Sequence, residues 1–587
     1  MLRNVRKITP LLRSLLLGVA AVSTVSVSSA VMIGCEDENS PEFSVKRLDN
    51  IAMRPMAVKR IVQFFEDAMS RAGSDRSDKA VQALLDKIVP PLVRTYVENA
   101  DTTDDRTRGE IIKLLADSRD ERAKPALIKA VKDYKPNVGE THLRASAKAI
   151  SQMKIRDQEA MDALIAAFVR FEAGSKNGSQ YYVDIKAALV EVSHESWVPQ
   201  LIERLNRPME IPGQADRNDE EKITTYRNEQ FWQTTAAEIL GEIKSPDAVK
   251  PLFKTVIDPN KGDVAATAVM AMVKIGKPSM NTLIDSLLGK DEEMIEYAKG
   301  KIKDQKEAVP TLIRSAALVI GTIGRADGVD PLLLALSKID KADYLTQAII
   351  ARELPKCPRS DESFRTFTRI FEAMPMSVLM PPAGNPAVQV LAEDIGRFSD
   401  RTTIDTLIKR RDTLKGDQQD KDMMRDSVLG TMVKLMRADQ VAVVEAAITR
   451  WVLGKDEAKA EKDALEKAKK LLSACEEKID CYLAKLDEPQ VQEKDEQFTG
   501  IKAAYMLAML GNEATALEIA RRFPKIKNGA IKFAAGLALD RLTPNGSQAI
   551  ADVIAEQLKV NLEKGDQNLI QGDAPLRQIR FRLLARL

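Results

Sequence analysis

The chain is predicted to be all-α, a right-handed solenoid of stacked antiparallel helix pairs. Three observations predict it. A patterned segment recurs along the chain at multiples of about 40 residues. The stretches between its punctuation carry apolar residues at helical spacing, with many alanines. Finally, hydrophobic residues make up 44% and charged residues 30% of 587, enough to bury a core and too apolar for wholesale disorder. A length prior of roughly 150 residues per domain would give about four domains. A repeat array needs no such division, because each unit is stabilised by its neighbours.

The recurrence is clearest where Gly241, Ile243, Asp247, Val249, Pro251 and Leu252 match Gly321, Ile323, Asp327, Val329, Pro331 and Leu332 at an offset of 80. A related unit, Met272-Val273-Lys274-Ile275-Gly276-Lys277-Pro278, lies between them, so the period is near 40. Weaker copies occur at Leu114–Leu127, Ile395–Asp400 and Met509–Glu513. Each copy has a local logic. An Ala-rich first helix allows close approach, and a Gly near its end accepts a left-handed turn. A Ser or Asp then caps a second helix, with Pro125, Pro251 or Pro331 in its first turn, where a missing N–H costs nothing. Helix pairs are expected to begin near residues 81, 108, 143, 181, 228, 263, 309, 343, 386, 422, 499 and 529.

These residues resemble the HEAT repeat family, especially its bacterial branch with a Leu-Gly-x-Ile-Gly-x-x-x-x-Val-x-Pro-Leu core. The resemblance is strong over 230–340, moderate over 100–450, nearly absent over 450–500, and returns over Thr499–Leu542. It implies a HEAT/armadillo-like superhelix over 51–587, with an atypical charged helical insertion at about 452–495. Relatives in that family include bilin lyases, so a small-molecule enzyme built on such repeats is an alternative reading; its DNA glycosylases require a basic concave face, which a near-neutral chain does not promise.

Residues 1–34 read as a targeting segment. Arg3, Arg6, Lys7 and Arg13 precede an apolar stretch from Ser14 to Ile33, with no acidic residue before Glu36. Met32-Ile33-Gly34-Cys35 resembles the lipobox of bacterial lipoproteins, although that pattern prefers Leu where Met32 stands. The resemblance implies lipidation of Cys35, cleavage before it, and a polar tether over residues 35–50. An uncleaved anchor over 14–33 and ordinary cleaved secretion are alternatives. Cleavage would leave 84 basic against 86 acidic residues, so nothing in the balance points to nucleic acid. An exported chain also meets an oxidising compartment.

Three departures from the repeat stand out. Arg207–Lys222 carries Pro208, Pro212, Gly213 and an acidic cluster, and reads as a solvated connector. The segment from Met374 to Pro382 is apolar, proline-broken and rich in methionine, a residue that adapts to varied surfaces. Met374, Met376, Leu379 and Met380 are therefore candidate partner contacts, the alternative being that they fill an inter-helix groove. The third departure contains a charged helix, Lys455–Lys470, with Asp463–Lys467 and Glu466–Lys470 pairs, and then Cys475 and Cys481. Along an unbroken helix six residues rise about 9 Å, and a disulfide needs Cα atoms within about 7 Å. A reversal with Asp480 capping a new helix would let Cys475 and Cys481 join. Cys357, between Pro355 and Pro358, reads as a buried structural thiol.

No phosphate loop, nucleophile elbow or zinc helix occurs in the sequence. The resemblance also extends to HEAT-repeat hydroxylases that hold di-iron with four His-Glu pairs. This chain has one such pair, His194-Glu195, and one other histidine, His142. Trp197, Trp232 and Trp451 read as core packing. No metal, cofactor or catalytic residue is assigned. The expectation is a non-catalytic scaffold in a bacterial envelope, lipid-anchored, facing the periplasm and binding a protein or peptide. A structural spacer is a further alternative.

Overall fold

The structure is a computed structural model that describes residues 38–452, 454, 458–564 and 573–587. The expected targeting segment and Cys35 lie outside the described residues. The fold is all-α: 29 α-helices among the described residues, with one two-stranded pair, Leu379–Met380 against Asn385–Pro386. No described helix is long and apolar enough to cross a membrane.

The chain forms two compact units, Met1–Pro91 and Leu92–Leu587. The boundary falls within the Lys79–Glu98 helix, which carries Pro90 and Pro91. Two consecutive prolines remove two helix N–H donors and crowd the preceding turn. In the first unit, Pro41–Lys46 is helical, Ser40 accepts from Phe43 N, and a 3-10 turn follows at Arg47–Asp49. Leu48 is fully buried, and Arg54 Nε donates to its carbonyl at 2.8 Å. Much of the expected polar tether is therefore folded, because Leu48 supplies an apolar anchor beside Val58, Ile61 and Phe65.

The second unit is a helical-repeat solenoid. Its first helices begin within four residues of where the periodicity places them, except Glu220–Ile243, which starts eight residues early: Asp105–Ser118, Glu140–Gln152, Tyr182–Glu191, Glu220–Ile243, Gly262–Ile275, Gln305–Ile323, Tyr344–Ala351, Ala387–Asp394, Gln418–Leu435, Gln497–Leu510 and Gly529–Leu542. Adjacent first helices pack through small residues such as Ala236, Ala237, Ala268, Ala271, Ala316 and Ala317, all buried. Ion pairs also bridge neighbouring repeats near the sequence period, as in Arg352–Asp394, Arg450–Asp412 and Lys409–Glu372 at separations of 42, 38 and 37.

The recurring glycine has a different role from the one expected. Gly241 and Gly321 lie inside their helices. A Cβ on Gly241 would sit 2.8 Å from Ala271 Cα, and one on Gly321 would sit 2.6 Å from Glu353 Cβ. These glycines allow neighbouring helices to touch. The left-handed residue comes three positions later, at Lys244 (φ 59°) and Gly324 (φ 72°).

Residues 452–495 are less of an insertion than their sequence suggests. Lys459–Cys475 and Ile479–Asp487 form a helix pair that packs on Gln418–Leu435 and Gln497–Leu510. Its charges reach outward: Lys467 pairs with Glu496 at 3.2 Å and Lys469 with Glu445 at 2.5 Å. Cys475 and Cys481 are disulfide-bonded with Cα atoms 5.4 Å apart. The chain reverses at Glu476, whose φ is 53°, and Asp480 lies in the first turn of the new helix and does not cap it.

Within this unit the last helix, Ala574–Arg586, packs on Gln548–Lys564 and Gly529–Leu542. It also packs on Gly262–Ile275 and Gln305–Ile323, far earlier in the chain. Arg325 Nη1 donates to Ala585 O at 2.9 Å, a contact spanning 260 residues.

Candidate functional site

The return of the last helix creates a second wall opposite the early repeats. Between the two walls lies a cavity of about 1680 Å3. One wall comes from successive first helices and their following turns: Arg119, Lys148, Ser151, Lys154, Arg156, Asp184, Glu191 and Glu242. The other comes from Ala555, Leu558 and Lys559 on Gln548–Lys564 and from Arg577, Arg580 and Phe581 on Ala574–Arg586.

The local sequence explains why cations gather there. Arg119 is the left-handed C-cap of Asp105–Ser118, and Lys154 takes φ 53° just beyond Glu140–Gln152. Helix C-termini carry partial negative charge from unpaired carbonyls, which favours basic residues. Arg156 Nη2 donates directly to one such carbonyl, Glu191 O, at 3.1 Å.

Seven lining residues are Lys or Arg and four are Asp or Glu. Two of the four carboxylates are already engaged: Asp184 with Arg144 at 2.5 Å and Glu242 with Lys274 at 2.5 Å. The Lys274 ammonium also lies 4.4 Å from the centre of the Phe581 ring, which joins the two walls. Arg119, Lys148, Lys154, Lys559 and Arg580 have no carboxylate partner among the described residues. The free charge in the cavity is therefore positive, with Glu191 and Glu195 the opposing carboxylates. Such a surface attracts anionic groups and suits long-range steering of an acidic partner.

The residues singled out from sequence are scattered. Met374 and Met380 are buried, Met376 is half-buried, and only Leu379 is strongly exposed. Arg410 donates to Met374 O, and of the four only Leu379 and part of Met376 remain accessible. His194 lines the cavity, but its Nδ1 contacts Ser196 Oγ at 2.8 Å and accepts from Ser196 N, a turn-capping arrangement. His142 is buried beside Tyr96, and burial lowers its pKa. Trp197 and Trp451 are buried, and Trp232 donates to Phe171 O at 3.1 Å. Cys357 is a buried free thiol whose pKa burial pushes up to about 12, so it is not a poised nucleophile. Among the described residues no group of three or more His, Cys, Asp or Glu could hold a metal ion.

No protein-family model and no curated protein matches the chain. The cavity itself escaped the sequence reading. Arg119, Lys154 and Lys559 belong to separate repeats, and no linear pattern joins them. The one available signal was the basic residue following successive first helices.

Proposed function

We propose that this chain is a non-catalytic scaffold of HEAT-like repeats that holds an acidic polypeptide segment in the cavity of its second unit. The cavity carries the reading. At about 1680 Å3 it exceeds the roughly 300–1,000 Å3 of ordinary small-molecule sites. Its surplus of unpaired Lys and Arg favours a partner rich in Asp and Glu, and the apolar Leu558, Ala555 and Phe581 of its second wall offer purchase for side chains. The lipobox-like Met32-Ile33-Gly34-Cys35 supports a lipid anchor at Cys35 in a bacterial envelope, with the repeats on the periplasmic side.

Two measurements test this reading. A fatty-acid probe should label the wild type and not Cys35→Ala. A photo-crosslinking residue at Lys148 should give discrete adducts in isolated envelopes, with the captured segments rich in Asp and Glu. Exposed Val443, outside the cavity, serves as the control position. The triple variant Arg119→Glu, Lys154→Glu, Lys559→Glu should abolish the adducts, and raised salt should weaken them. Equal adducts at both positions, or adducts indifferent to charge reversal, would sink the proposal.

A further inference from the structure

A second concave feature lies elsewhere in the same unit, where the last helix meets the 354–400 region. An inner pocket of about 40 Å3 is lined by Lys356, Arg397, Ser399, Tyr505, Arg541 and Arg586. An adjoining chamber of about 220 Å3 shares Lys356, Arg397, Leu537 and Asp540 with it and adds Lys532, Arg582 and the exposed ring of Phe533. Across both, six cations face one lining carboxylate, Asp540.

Several of these cations are neutralised by neighbours. Asp540 lies 3.1 Å from Arg582 and 3.0 Å from Arg586. Glu353 holds Lys356 at 2.6 Å, and Asp394 holds Arg397 at 2.9 Å. Arg541 is different. Among the described residues its Nη2 donates to Phe398 O at 3.4 Å, and its charged surroundings include a second cation, Arg359. Lys532 likewise has no carboxylate partner among the described residues. The Nε–H groups of Arg541, Arg582 and Arg586 are all buried without an acceptor.

A part-buried guanidinium without a counter-charge is costly, and orphaned N–H donors add to the penalty. An oxyanion would relieve both, since guanidinium forks match phosphate and carboxylate geometry. The inner pocket holds about three water-sized volumes at roughly 10–15 Å3 each, enough for a head group alone. The chamber beside it has room for more, against Phe533, Leu537 and Ile579.

We propose that this crevice binds an organic oxyanion, its phosphate or carboxylate head among Lys356, Arg397, Arg541 and Arg586 and its apolar body against Phe533 and Leu537. The bound anion ties the last helix to the 354–397 segment, because its ligands come from both. The site shares no lining residue with the cavity.

Calorimetric titration of the full chain with phenyl phosphate, benzoate, inorganic phosphate and acetate tests the proposal. The two ring-bearing probes share a body and differ in head, so their ranking identifies the head group. Saturable binding is expected for at least one of them, tighter than for its bare counterpart. Arg541→Gln should weaken it about tenfold or more, the loss of one charge-assisted hydrogen bond, and Arg541→Lys should restore much of it. Hydrogen exchange in 574–586 should slow when the anion binds. No saturable binding of any probe, or equal binding by folded Arg541→Gln, overturns the proposal. Should Arg541→Gln fail to fold, Phe533→Ala decides: losing the preference for ring-bearing probes supports the site, and keeping it refutes the site.

Discussion

Lys502 offers a test of the packing that can be worked through in numbers. Its side chain is fully buried, and its ammonium donates to Lys434 O at 2.9 Å and to Met436 O. Those carbonyls lie at the end of Gln418–Leu435, where the last C=O groups of a helix lack intrahelical donors. Burial, with a smaller push from Arg437, lowers the amine to about 7, against about 10.4 in an unfolded chain. Below pH 7 both states are protonated, and the folded state carries the whole cost of the buried charge. Between the two values the unfolded state binds a proton that the folded state does not, so stability rises with pH. From pH 6 to pH 9 the gain is about 2–3 kcal/mol for a three- to four-unit difference.

Lys502→Met keeps the volume and abolishes the titration. It also orphans two carbonyls, at about 1–3 kcal/mol each, while relieving the buried charge. These offsets oppose one another, but neither depends on pH in the variant. The decisive quantity is therefore the wild-type minus variant difference, from which other titrating groups, such as buried Tyr505 with its raised pKa, largely cancel. Urea unfolding at pH 6 and pH 9, read by pulsed hydrogen exchange on peptides from 418–435 and 497–510, measures it. The difference should shift in favour of wild type by about 2–3 kcal/mol. A shift within the usual additivity error of about 0.5 kcal/mol would refute the assignment of a charged, buried amine.

Two further outcomes follow from the same packing. Gly321→Ala places a methyl 2.6 Å from Glu353 Cβ and should destabilise by about 1–3 kcal/mol through overpacking. Gly430→Ala, in a helix with nothing within 4 Å, should stabilise by about 0.5–1 kcal/mol; urea midpoints separate the two. Reductant should cost the wild type about 2 kcal/mol, from loop closure across the six-residue Cys475–Cys481 separation. Cys481→Ala should be insensitive to reductant, and an unchanged wild-type midpoint would contradict a stabilising role.

The periodic part of this fold was legible because it repeats. Apolar spacing, first-turn prolines and the Gly-x-Ile core recur about every 40 residues, and each copy corroborates the others. The same repetition hid what Gly241 and Gly321 do. A glycine near a helix end reads as a left-handed cap, yet a glycine needed for helix contact leaves the same mark. Only the distance to Ala271 or Glu353 separates the two. Lys459–Cys475 was misread for the converse reason. Its partners Glu445 and Glu496 lie elsewhere in the chain, so its charges read as an atypical insertion. With Met374 and Met380, composition marked an apolar segment but could not say which side of the chain it faced.

The return of Ala574–Arg586 onto Gly262–Ile275 and Gln305–Ile323 lies beyond any periodic reading, and it changes the energetics of the array. In an open stack each repeat touches its neighbours alone, stability is close to a sum of local terms, and the terminal repeat needs a polar outer face. Here Leu583 and Ala585 of the last helix are buried, and Arg586 donates to Lys356 O, Asp540 O and Thr543 O. The outer flank of Ala574–Arg586 is covered by the middle of the same unit. Opening the 262–323 repeats must then also release the C-terminal helices, and fraying of the C-terminus must expose apolar surface in the middle. Both candidate sites lie along that seam: the cavity uses it as a wall, and the cationic crevice draws its ligands from both sides. Occupancy of either site is thus coupled to the contact that joins distant repeats, which nearest-neighbour stacking would not provide.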